Sequence, residues 1–136
     1  MTLRYVAAVA VLASVAIHLA LWFQGMRSVH VIGPAFLLNV TGGLVIAALL
    51  VRWRHPGAGV LAACFGMSTL GAFTLASTIG LFGTHEKWAG LSVFGAATVE
   101  IIAIVMGLAI MLEDPEPEVV VPVRAQSVGA HRSDRA

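Results

Sequence analysis

Two ionisable side chains stand inside stretches that are otherwise apolar: His18, within Tyr5 to Phe23, and Glu100, within Leu91 to Leu112. Placing such a group near the centre of a bilayer costs about 2.5–3.5 kcal/mol on insertion scales, so one that persists there faces a partner or a wet cavity rather than lipid. An imidazole and a carboxyl can satisfy each other, hold a proton between them, or present that proton to a ligand. Asn39 adds an amide from another apolar stretch, and Thr74, Ser77 and Thr78 add hydroxyls from the remaining one. Ser14 precedes His18 by four residues, about one helical turn, and therefore shares its helix face.

Depth supports reading these residues together. At a rise of about 1.5 Å per residue, His18 lies about 8 Å below Phe23, Glu100 about 14 Å below Leu91, and Asn39 about 12 Å below Val31. The expected site is therefore His18, Glu100 and Asn39, with Ser14 extending the strip inward and Thr74, Ser77 and Thr78 supporting it. Such a cluster holds or relays a proton, or binds the polar head of a quinone or other lipophilic ligand. The plainer reading is a structural hydrogen bond tying the first apolar stretch to the last.

Metal and haem chemistry has less to stand on. Bis-histidine haem ligation in a helix bundle needs two inward histidines, and His18 alone is well inside a span. His30 and His85 sit at the expected outer edge and are the weak metal candidates; ordinary interfacial residues are the plainer reading. No H-x-x-H, H-E-x-x-H or E-x-x-H spacing occurs, and the side chains of the adjacent His85 and Glu86 diverge on a helix. No cofactor is required by any motif, so a quinone or haem stays an alternative. The single cysteine, Cys64, excludes an intrachain disulfide and a multi-cysteine zinc site. No nucleophile–base arrangement, phosphate-binding glycine loop or carboxylate pair is visible, and nothing demands an enzyme.

The elements that position these residues are four apolar spans. A membrane helix needs about 20 mostly apolar residues, and residues 5–23, 31–51, 57–82 and 91–112 each qualify. The 136-residue chain is 59% hydrophobic and only 11% charged, against roughly 25% charged in soluble domains, so little is left to coat a water-soluble globule. The net charge of +1 gives no basic face for nucleic acid. Ser14-Val15-Ala16 fits a cleavage site, but the apolar run continues through Phe23, so the first stretch reads as a span rather than a signal peptide.

Short polar breaks separate the spans: Gln24 to Ser28, Arg52 to Gly57, and Gly83 to Trp88. Short connections make successive helices antiparallel neighbours, giving an all-α, up-down-up-down four-helix bundle. Small residues should carry the packing, since lipid supplies no hydrophobic drive between helices. Ala72, Ala76 and Gly80 recur every four residues on the third span, with Cys64, Ser68 and Gly71 on a neighbouring face. Gly42 and Gly43 accompany Asn39, and Ala96, Ala97, Ala103 and Gly107 surround Glu100. The last set turns Glu100 toward the bundle. Trp22, Trp53 and Trp88 fall near span ends, as an interfacial aromatic belt does. Met67, Met106 and Met111 read as packing.

Arg4, Arg52, Arg54, Arg124, Arg132 and Arg135 fall on one predicted side and Arg27 and Lys87 on the other. The positive-inside rule then places both termini in the cytoplasm. The Ala/Val/Gly/Arg bias suggests a bacterial source, hence the bacterial cytoplasmic (inner) membrane. Residues 113–136 open with a Pro-Glu run and turn polar, which predicts a flexible cytoplasmic tail.

The stretch from His18 to Gly43, H-L-A-L-W-F-Q-G-M-R-S-V-H-V-I-G-P-A-F-L-L-N-V-T-G-G, with the later G-L-F-G-T-H-E-K-W and the Glu100 region, resembles small four-span bacterial integral membrane proteins of unassigned role. It is similar in outline to the DoxX-like group, four-helix membrane proteins linked to quinone or redox biology. The likeness covers roughly residues 5–112 and rests on layout; no diagnostic DoxX motif is present, so no functional residue carries over. Small multidrug transporters also have four spans but rely on an acid in the first, where this chain has His18. Three functions therefore compete: an accessory or structural subunit of a membrane complex, which leads; a proton-linked oligomeric transporter or channel; and a quinone- or haem-binding redox protein. The expected partners are membrane lipid and a larger membrane complex or further copies of the chain.

Overall fold

The computed structural model describes residues 1–80 and 90–113. Four helices make up most of it: α1 (Thr2–Phe23), α2 (Ile32–Arg52), α3 (Gly57–Thr78) and α4 (Leu91–Leu112), with a single 3₁₀ turn at Met26–Ser28 between α1 and α2. Among the described residues there is no strand. Each helix is long and apolar enough to cross a membrane, with mean hydropathy between 1.6 and 2.3. The chain is thus an all-α bundle of the multi-pass membrane type. The expected tail, and His85, Lys87 and Trp88 of the third connection, lie outside the described residues.

Two helix ends differ from the sequence expectation. Helix α1 begins at Thr2 rather than Tyr5, because backbone hydrogen bonding continues into the polar first turn that a hydropathy reading trims away. Helix α3 stops at Thr78 rather than continuing to residue 82. Gly80, expected in the small-residue row of the span, instead takes φ of 81° just beyond the helix, the left-handed conformation by which glycine commonly ends one.

The helices run in alternating directions. Arg4, at the start of α1, donates to the carbonyls of Trp53 and Arg54 beyond the end of α2, at 2.9 and 2.8 Å. Carbonyls after a helix end lack intrahelical partners, so this guanidinium both satisfies them and pins α1 to the α2–α3 turn. Around the bundle α1 packs broadly on α2 and α4, and α3 on α4, whereas α2 and α3 touch sparsely. The ring therefore has one loose seam.

Packing differs along the length. In the half nearest Arg4, Ala7, Val11, Ala47, Leu50, Ala58, Ala62, Ala103 and Ile110 form a buried core. There α3 and α4 meet backbone to backbone: a Cβ on Gly59 would stand 2.6 Å from the Gly107 carbonyl oxygen, and one on Gly107 2.6 Å from that of Gly59. Glycine at both positions is what permits the approach. The contact row on α3 is Gly59, Ala62, Ala63 and Gly66; of the expected Ala72, Ala76 and Gly80 only Ala76 is buried, and on α4 Ala103 and Gly107 face inward as expected. Spacing identifies faces of small residues, but not which of two faces meets the neighbour.

Candidate functional site

His18 and Glu100 face each other across the α1–α4 interface. Nε2 of His18 lies 3.8 Å from Oε1 of Glu100, and the residues are only 8% and 2% exposed. Two features aim them. On α4 Glu100 shares its buried face with Ala103 and Gly107, three and seven residues on. On α1 Ser14 and His18 lie one turn apart on the face that buries Ala7, Val11 and Val15.

A backbone contact sets the histidine tautomer. Its Nδ1 lies 2.9 Å from the Ser14 carbonyl oxygen, an atom that can only accept, so Nδ1 carries a hydrogen and donates. Nε2 is left to face the carboxyl. In a pair that is neutral overall, one proton belongs to Nε2 and Oε1 jointly: on the carboxyl it makes two neutral groups, on the ring an ion pair. The Ser14 hydroxyl, itself fully buried, lies 3.3 Å from Nδ1. The side of the ring away from these contacts meets Phe36 of α2, with ring centroids 5.1 Å apart.

Asn39 does not join this pair directly. Its Nδ2 donates to Oγ1 of Thr69 on α3 at 2.9 Å, bridging the loose α2–α3 seam. The Thr69 hydroxyl donates in turn to the Phe65 carbonyl at 2.8 Å. With its own hydrogen committed, Oγ1 can only accept from Asn39, which settles the amide orientation: nitrogen toward Thr69, oxygen away. That oxygen, Oδ1, is buried and has no hydrogen-bond partner among the described residues.

Both polar groups border one cavity of about 420 Å³, bounded by all four helices and walled mainly by apolar side chains, among them Leu21, Phe36, Phe65, Phe73, Ala76 and Ala97. Phe65, buried at the edge of the tight core, helps close it on the Arg4 side. Beneath it, Gly43 of α2 has no room for a side chain against Val15 and Phe65. At the α2–α3 seam the lining residues Leu38, 74% exposed, and Ala72 face outward. The cavity thus reaches the surroundings sideways, between two helices.

No family model matches this chain, and neither a curated protein nor a solved structure matches it. The site accordingly rests on its own geometry.

Of the residues expected to build it, His18 bonds Ser14 and faces Glu100, and Asn39 borders the same cavity as His18 and Glu100. Thr74 and Thr78 do not: each donates to a carbonyl of its own helix, Leu70 and Thr74 respectively, and both are exposed. Ser77 likewise donates to the Thr74 carbonyl and is not among the cavity-lining residues. The hydroxyl that α3 contributes is Thr69, together with Ser68 in the wall. Both were legible as polar residues of a span, and helical rotation decides between them and Thr74. His30 is exposed in the α1–α2 connection, and among the described residues no three His, Cys, Asp or Glu side chains come together. His85 lies outside the described residues.

Proposed function

We propose that this chain is a protein of a bacterial cytoplasmic membrane, with both termini on the cytoplasmic side, that binds a lipophilic small molecule within the bilayer. One observation carries the reading: a cavity of about 420 Å³, apolar in its walls, borders a buried imidazole–carboxyl pair and Asn39, whose amide oxygen is buried without a partner among the described residues. Small-molecule sites usually fall between about 300 and 1,000 Å³, with apolar walls and a few placed polar groups. The sideways mouth suits a ligand that arrives from lipid. For the orientation, Arg4, Arg52 and Arg54 at one end of the bundle against Arg27 at the other, among the described residues, and Lys87 in the sequence of the third connection, is the supporting asymmetry. A quinone falls within the ligand class, in keeping with the DoxX-like outline. Haem has weaker support, since His18 is the only buried histidine among the described residues.

The reading is tested by extracting the full chain into lipid nanodiscs without detergent and identifying the small molecules that accompany it by mass spectrometry. A lipophilic compound enriched over bulk membrane lipid is expected with the native chain and lost with Ala97→Trp, which fills the cavity from α4. Identical contents in native and filled proteins would sink it.

The accessory-subunit reading has one observation of its own. Gly42 on α2 and Gly71 on α3 have nothing within 4 Å of where a Cβ would stand, and small outward residues let another membrane helix approach closely. A stable protein partner in the same nanodiscs would favour it. Proton-linked transport draws least support: from Ser14 toward the Arg4 end the core is Ala, Val, Leu and Ile, and among the described residues the buried polar side chains there end at Ser14.

A further inference from the structure

We infer that the ligand of this cavity is an uncharged amphiphile whose head donates a hydrogen bond, a hydroxyl or phenol in its simplest form, to Oδ1 of Asn39. The inference rests on the proposed ligand-binding function and narrows it to a class of head group.

The argument is one of hydrogen-bond supply. The chain Asn39 Nδ2 to Thr69 Oγ1 to Phe65 carbonyl runs in a single direction, because the carbonyl can only accept and the hydroxyl has one hydrogen. The amide therefore cannot turn over without putting two acceptors face to face. Its oxygen is held as an acceptor, buried and without a partner among the described residues, on a residue that borders the cavity. A buried acceptor with nothing to accept is costly, and the cost is recovered when a donor arrives. A ligand that offers only acceptors, an oxidised quinone included, cannot recover it, whereas the hydroxyls of a reduced quinol can.

Charge narrows the class further. The cavity borders carry Glu100 and no Lys or Arg among the described residues, so an anionic head such as a phosphate or carboxylate is set against the Glu100 carboxyl. A cationic head would have to share the Glu100 carboxyl with His18, which already faces it at 3.8 Å. A neutral head avoids both costs. A hydroxyl, which donates and accepts, suits a cavity bordered both by Asn39 and by the His18–Glu100 pair. Phe36, tilted against the His18 ring and bordering the cavity, offers an apolar surface for the body behind the head, whose chain leaves by the α2–α3 mouth.

Three probes of one shape test this: para-octylphenol, which donates and accepts; para-octylanisole, its methyl ether, which only accepts; and para-octylbenzoate, which is anionic. Binding to the full chain in phosphatidylcholine nanodiscs is measured by equilibrium dialysis against empty nanodiscs. The phenol is expected to bind about tenfold or more tightly than the ether, the range associated with satisfying an otherwise stranded buried group, and the benzoate more weakly than either. Thr69→Val removes the acceptor that orients the amide and should shrink the phenol preference severalfold. Asn39→Leu should abolish it while leaving the ether bound, and each variant's monodispersity and helicity show that it is folded. Equal binding of phenol and ether to the native chain, or a preference that survives Asn39→Leu in folded protein, overturns the donor requirement and leaves the cavity reading standing. Strongest binding of the benzoate overturns the neutral head. Binding of none above empty nanodiscs, with the same result for Ala97→Trp, overturns the ligand-binding reading and this inference with it.

Discussion

The two halves of the bundle are built from the same kinds of residue and do opposite things with them. Toward Arg4, glycine and alanine bring α3 and α4 into backbone contact around Gly59 and Gly107, and the space fills with Leu50 and Ile110. Toward Gln24, α2 and α3 stand apart at Leu38 and Ala72, and the Asn39–Thr69 hydrogen bond bridges their seam. Small residues close a bundle when they face a neighbour's backbone and open it when the neighbour stands away. In the closed half polar groups sit at the end, where Arg4 meets the turn carbonyls; in the open half they lie inside. A rigid base under an open pocket is a common way to hold binding groups in place, since side chains packed on a fixed framework keep their geometry.

The contrast can be broken most decisively in the closed half. Gly107→Leu adds a side chain whose first carbon alone would stand 2.6 Å from the Gly59 carbonyl oxygen and 2.7 Å from the Ala63 nitrogen. Backbone atoms cannot rotate aside, so the expected loss is about 3 kcal/mol, at the upper end for overpacking. Unfolding in detergent, followed by circular dichroism, measures it. A variant as stable as the native chain would mean that the α3–α4 contact is not the anchor of the fold.

A smaller effect is expected at the boundary between the halves, where His18 and Glu100 meet. Each of His18→Ala and Glu100→Gln alters a group that the other residue faces. The double variant should therefore lose less stability than the two single losses added, by about 0.5–3 kcal/mol, the usual coupling between contacting residues. Strict additivity in the same unfolding measurement would dissolve the pair and leave two independent buried groups. If the coupling exists but ligand retention in nanodiscs is untouched, the pair serves only as a tie between α1 and α4.

The smallest effect sharpens the comparison from the open side. Gly71→Ala puts a methyl group where nothing lies within 4 Å, and the expected change is within about 0.5 kcal/mol, as for substitutions that touch no special feature. The same methyl on Gly59 would strike the Gly107 carbonyl oxygen. A large loss from Gly71→Ala in the native membrane, but not in detergent, would reveal a helix of another protein or another copy seated on that face.

Much of this was legible in the chain itself. Four runs of apolar residues broken by short polar segments have few alternatives: backbone groups in hydrocarbon must be satisfied internally, so each run becomes a helix, and short connections make successive helices antiparallel. The same economy marked His18 and Glu100, because an ionisable group in such a run is expensive wherever it points. The period of the helix went one step further, placing Ser14 with His18, and Glu100 with Ala103 and Gly107, on single faces. What periodicity cannot supply is the rotation and lean of one helix against the next. Every hydroxyl on α3 is equally polar, yet Thr69 receives the Asn39 hydrogen bond while Thr74 and Thr78 bond back to their own helix. Gly66 lies against α4 while Gly71 faces open space. Those outcomes depend on where α3 crosses α4, and hence on contacts between residues far apart in the chain, such as Gly59 and Gly107. The cavity is the clearest case: it is the space left when one pair of helices packs tightly at one end and another pair does not, a property of no single helix.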